Sequence, residues 1–126
     1  MPLELSLTGG EMIALTEKEM IKPLIREIHL FDTYIAGTFR AEEGALAAEL
    51  QPGDRLVLRR AEDKFDENTI LIMNSREQRL GFVPEKDNVI FARLMDAGKL
   101  LTAKVNAVEK HGSLSKISIG IYLTDF

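Results

Sequence analysis

Lys64-Phe65-Asp66-Glu67-Asn68-Thr69-Ile70 places an aromatic ring, a carboxylate and an amide on one short connection. It lies between two apolar runs, Leu56-Val57-Leu58-Arg59-Arg60 and Ile70-Leu71-Ile72-Met73, both of strand composition. A ring stacks on a flat partner, a carboxylate accepts from a hydroxyl, and an amide bonds a backbone or a base edge. A turn that only reverses the chain uses Asp and Asn to satisfy nearby backbone groups. It has no need of the Phe, so Phe65 and Asp66 are candidate binding residues. The competing reading of Phe65 is a ring folded inward as a core plug. Asx-turn bonding within the loop is the expected role of Asn68 and the competing reading of Asp66.

Arg55, Arg59, Arg60, Lys64, Arg79 and Lys86 surround this connection in the sequence. Strand alternation puts Arg55 and Arg59 on one face and Arg60 on the other. Such charges usually solvate a sheet face and pair with acids such as Glu62, Asp63 or Glu67. Beside Phe65 they would also lend positive potential to an anionic ligand.

Several chemistries are excluded or disfavoured. The chain has no cysteine, which rules out disulfides, zinc-thiolate sites and a thiol nucleophile. His29 and His111 lack ligand spacing. Glu42-Glu43 and Glu62-Asp63 do not follow the calcium-loop pattern, and Asp66-Glu67-Asn68 lacks its downstream bidentate Glu. No phosphate loop or nucleophile elbow occurs. The expectation is a non-enzyme without metal or cofactor. The net charge of −4 opposes sequence-blind coating of nucleic acid. The acid excess lies in residues 1–50, with nine acids and four bases, whereas residues 51–126 hold eleven acids and twelve bases. No stretch has the length of a membrane span, and the first residues lack a signal-peptide pattern, so the cytoplasm is the expected compartment.

The chain's 126 residues suit one domain. Gly9 to Arg26 is helical in pattern, with Thr16 and Glu19 as a capping box and Pro23 ending the helix near Lys22. This predicts an N-terminal helical extension, residues 1–28, lying as a lid on a domain of residues 29–126. From His29 the composition favours strands, with Gly37 marking a bulge or close backbone approach. Glu42 to Leu50 has helical propensity. Strands are predicted over Arg55–Arg60, Thr69–Asn74 and Arg79–Val83, and Pro84 stops the last. Asp87 or Asn88 can cap a helix through Val89 to Met95 that Gly98 ends. Alternation over Leu101 to Ala107 and Ile117 to Leu123 flanks a hairpin turn at His111-Gly112-Ser113. Connections this short rule out parallel crossovers throughout. The predicted fold is mainly β (α+β), a small antiparallel barrel with one inserted helix.

The ordered set Tyr34-Ile35-Ala36-Gly37, Gly53 to Arg60, Lys64 to Ile70, Leu80-Gly81-Phe82-Val83-Pro84 and Asp87-Asn88 before a helix resembles the HIRAN domain. The resemblance implies a modified OB-like barrel that binds single-stranded DNA, with a preference for free 3′ ends in the eukaryotic repair ATPases. It implies that Tyr34 and Phe65 stack bases, that Asp66 accepts from the terminal hydroxyl, and that Lys86 meets phosphate. Asn68, Arg59 and Arg55 complete the expected nucleic-acid site. DNA repair or processing beside a DNA-processing enzyme is the implied setting. The sequence departs from the family's pattern at Thr33 for Arg, Phe65 for Tyr, Asp63-Lys64 for Asn-Pro, and Glu85 near the phosphate-facing position. These changes bear on affinity for nucleic acid more than on the fold. The alternative is a protein-interaction module without nucleic-acid binding. A hydrolase or nuclease would need a metal-binding carboxylate set that the sequence does not assemble.

Overall fold

The computed structural model describes residues 26–37, 41–61, 64–112 and 114–125. In chain order these form β1 (Arg26–Tyr34), α1 (Ala41–Ala48), β2 (Arg55–Arg60), β3 (Ile70–Met73), β4 (Arg79–Phe82), α2 (Asn88–Asp96), β5 (Leu100–His111) and β6 (Leu114–Asp125). A 3-10 turn, Glu85–Asp87, leads into α2. The six strands make one sheet in the order β1-β6-β5-β2-β3-β4. Every neighbouring pair is antiparallel.

Alternation decides which face is buried. In β2, Leu56 and Leu58 are buried while Arg55, Val57 and Arg59 are exposed. Ile70, Ile72, Leu80, Ile117, Ile119 and Ile121 meet them inside, each with 1% or less of its surface exposed. Burying one such aliphatic side chain contributes about 1.5–3 kcal/mol, so this inner face is what holds the sheet curled.

The curl brings the sheet's edges together. The Ile35 amide donates to the Ile117 carbonyl at 3.0 Å, and Ala36 and Phe82 exchange both backbone hydrogen bonds at 2.9 Å. Among the described residues that bridge alone joins the edge beyond β1 to β4. The OB-like sheet is therefore strongly curled but not closed into a continuous barrel. Gly37 makes the close approach expected of it: its φ is +79°, and a Cβ there would lie 2.2 Å from the Phe82 ring.

The predicted inserted helix is α2. Gly98, at φ +91°, ends it: the Gly98 amide donates to Met95 and the Lys99 amide to Leu94, a Schellman arrangement. The expected side-chain cap is absent: Asp87 makes no cap bond and accepts instead from Thr33 of β1, while Asn88 donates to Asp66 in the β2–β3 connection. The helical propensity after Glu42 is realised as α1, which packs on β4 and β6 with Ala47 buried. The β5–β6 hairpin turns where predicted, with Gly112 at φ +66°. The N-terminal helical pattern falls on residues 1–25, outside those described, while Arg26 to Ile28 already belong to β1.

Candidate functional site

The connection between β2 and β3 is tied down from two directions. Within the loop, the Asn68 amide donates to Asp66 Oδ1 at 2.9 Å, and the Thr69 hydroxyl donates to the Asp66 carbonyl at 2.8 Å. The Asx-type bond is thus made by Asp66. Asn68, expected to make it, instead accepts from Arg93 Nη1 of α2 at 2.9 Å. From below, Arg60 donates to the carbonyls of Thr69 at 2.7 Å and Glu67 at 3.0 Å while gripping the Asp96 carboxylate at 2.9 and 3.1 Å. The Arg60 hydrogen bond is the main reason the Asp96 carboxyl sits below its ordinary pKa. Arg60 sits on the face opposite Arg55 and Arg59, as alternation requires, and so reaches the loop and α2 together.

Asp66 is the junction. Its second oxygen accepts from Asn88 Nδ2 at 2.8 Å. Asn88 is 1% exposed, and its own carbonyl oxygen is buried with no hydrogen-bond partner. The amide is oriented by Asp66, since the reverse orientation would set oxygen against oxygen.

This framework holds Phe65 outward. The residue is 84% exposed, with Lys64 Nζ 5.3 Å from the ring centre. The core-plug alternative does not hold. Phe65 stands at a cleft of about 420 Å³ whose walls include Phe82 and Leu71, with Asp66, Asn88, Arg79 and Glu85 at its polar edge. Residues directly opposite each other in an antiparallel pair share a face. The pairs Arg59–Leu71, Leu71–Phe82 and Ala36–Phe82 therefore form one row across the outer surface.

The other expected residues divide between this region and elsewhere. Tyr34 does not line the cleft. It lies two positions from Ala36, on the same outer face, and its ring is flanked by Lys86 Nζ at 5.6 Å and Lys116 Nζ at 5.9 Å. Lys86 also pairs with Asp87 at 3.0 Å. Thr33, where the family pattern has Arg, is buried and donates to Asp87 Oδ2 at 2.8 Å. Burial pushes the Asp87 carboxyl up, but hydrogen bonds from Thr33 and Lys86 outweigh it and hold the group below its ordinary pKa.

Arg59 is in the outer row but pairs with Glu77 at 2.8 Å. Arg55 lies four residues back along β2, about 13 Å away at the usual strand rise. There it pairs with Glu27 at 2.8 Å, and Lys104 reaches the same carboxylate at 2.8 Å. Hydrogen bonds from Arg55 and Lys104 lower the Glu27 pKa to about 2. Arg55 is therefore not brought to Phe65. Arg60, which alternation set apart from Arg55 and Arg59, serves as a brace under the loop rather than as a source of free positive potential. Asn88, Arg93, Phe82 and Lys116 contribute here without having been expected as binding residues.

Among the described residues no group of three or more His, Asp or Glu side chains is placed to hold a metal ion, and no helix is long and apolar enough to cross a membrane.

Two solved structures share the fold. A protein from Lactobacillus plantarum superposes with a TM-score of 0.73 at 19% identity, covering 81% of this chain and 99% of its own. The HIRAN domain of human HLTF superposes with a TM-score of 0.57 at 12% identity, covering 79% of each chain. No curated protein matches the sequence. The family model described as the HIRAN domain matches residues 28–124, and the chain accordingly belongs to the HIRAN domain family.

Proposed function

We propose that this chain binds single-stranded DNA at a free 3′ end without catalysing a reaction on it. The observation that carries this reading is Phe65, held 84% exposed beside a cleft whose polar edge is the Asp66 carboxylate. An exposed ring of this kind stacks a base, worth about 1–3 kcal/mol. Asp66 uses one contact on each oxygen for Asn68 and Asn88, so further lone pairs can accept from a terminal hydroxyl. A carboxylate repels a terminal phosphate, which makes the pair of groups selective for an unphosphorylated end. Membership of the HIRAN domain family supports the DNA-binding class. The setting we infer is repair or processing of DNA in the cytoplasm, beside a DNA-processing enzyme.

Fluorescence anisotropy with 5′-labelled oligothymidylates ending in either a 3′-hydroxyl or a 3′-phosphate tests this. The hydroxyl end should bind at least tenfold more tightly. Equal affinity for the two would remove the end-recognition role of Asp66, and no binding at low salt would favour a protein-interaction module.

A further inference from the structure

The cations expected to meet phosphate are mostly occupied. Arg55 pairs with Glu27, Arg59 with Glu77, Arg60 with Asp96 and Lys86 with Asp87. Lys116 differs. It is exposed on β6, and among the described residues it makes no ion pair, while its ammonium lies 5.9 Å from the centre of the Tyr34 ring. Tyr34 is directly opposite Ser118, two positions from Lys116, so Tyr34 and Lys116 share the outer face. Glu109, directly across from Lys116, has His111 at 3.8 Å.

The outer face is thus continuous. Phe65 and Phe82 flank the cleft, Ala36 is opposite Phe82, Tyr34 is two positions along from Ala36, and Lys116 lies beyond Tyr34 on the hairpin. A base stacked on Tyr34 would take the place of an ammonium over that ring. The displaced cation would then lie beside the sugar-phosphate chain carrying that base.

We propose that Lys116 is a phosphate-contacting residue and that a bound strand leaves the Phe65 cleft across Tyr34 toward the β5–β6 hairpin, rather than along β2 toward Arg55. This deepens the DNA-binding reading and rests on it. The ligand is the phosphodiester backbone of a single strand, at the nucleotides preceding the terminal one.

The test is the salt dependence of binding of a 5′-labelled ten-residue oligothymidylate to the full chain and to Lys116→Ala, Lys110→Ala and Arg55→Ala. Lys110 is one position removed from Glu109 on β5, so it projects from the opposite face of the same hairpin and controls for loss of charge alone. The expected result for Lys116→Ala is a five- to tenfold weaker Kd at low salt and a log–log salt slope shallower by about 0.7, the value for one single-strand phosphate contact. Lys110→Ala and Arg55→Ala should keep the parent slope. If the parent chain binds and Lys116→Ala matches it in slope, or if Arg55→Ala is the shallower variant, the path toward the hairpin is wrong while DNA binding stands. If the parent chain does not bind, both readings fall together.

Discussion

Asp66 and Asn88 meet side chain to side chain across 22 positions, the Asn88 amide donating to Asp66 Oδ2 at 2.8 Å. That contact joins the β2–β3 loop to the first residue of α2. It fixes the carboxylate by uncharged donors, and among the described residues Asp66 makes no ion pair. Replacing Asp66 with Asn keeps the size but removes one acceptor and the charge. Asp66→Asn should lower stability by about 1 kcal/mol and abolish discrimination between hydroxyl and phosphate ends. Chemical denaturation and anisotropy titrations read these separately, and unchanged discrimination would exclude Asp66 as the selecting group.

Phe65 contributes little to the core, because most of its ring faces solvent. Phe65→Ala should change stability by less than about 1 kcal/mol. Binding of an unpaired 3′ tail should weaken by about 5- to 150-fold, the equivalent of one stacked base. A loss of several kcal/mol in thermal or urea unfolding would contradict the exposed placement.

Arg60 serves the site from beneath. Its side chain is 20% exposed and binds two loop carbonyls as well as Asp96. Arg60→Ala strands those acceptors and should destabilise the protein by about 2 kcal/mol. Hydrogen exchange should show the 64–69 loop losing protection before the strands do. Uniform loss over the whole sheet would mean that Arg60 supports the fold at large.

Glu27 sets an acid-side dependence. Its pKa falls from an ordinary 4.5 to about 2 because Arg55 and Lys104 hold its charged form. A depressed folded-state pKa adds stability that is complete above about pH 4.5 and disappears as pH drops toward about 2. With Arg55 63% exposed, solvent screening reduces this to about 1 kcal/mol. Glu27→Gln should therefore be less stable at neutral pH and flatter in its stability profile below pH 4.5, with DNA affinity unaffected. A parallel pair of stability–pH profiles would disprove the linkage.

Much of the framework was legible because period-2 alternation is a local property. Leu56 and Leu58, and Ile117, Ile119 and Ile121, declare their face through neighbours two residues away. The Phe65-Asp66 element stood out for the same reason, an aromatic that its turn does not require. Partners distant in sequence leave no such trace. Arg59 and Arg55 look available beside Phe65, yet Glu77 and Glu27 occupy them from 18 and 28 positions away. Asp87 and Asn88 have the composition of a helix cap, but tertiary contacts with Thr33 and Asp66 use those side chains instead. The resemblance implies that Tyr34 stacks a base along with Phe65, but Tyr34 does not line the cleft. Phe82 lines it with Phe65 instead, packed against Gly37 by a bridge that only the curled sheet makes.

The Ala36–Phe82 bridge has a mechanical consequence. Two hydrogen bonds stitch the sheet's rims at the residue whose ring also walls the cleft. A ligand that gripped that ring more tightly with the seam closed would stabilise the seam in the same measure. The join between the two rims and the wall of the cleft are thus one and the same residue.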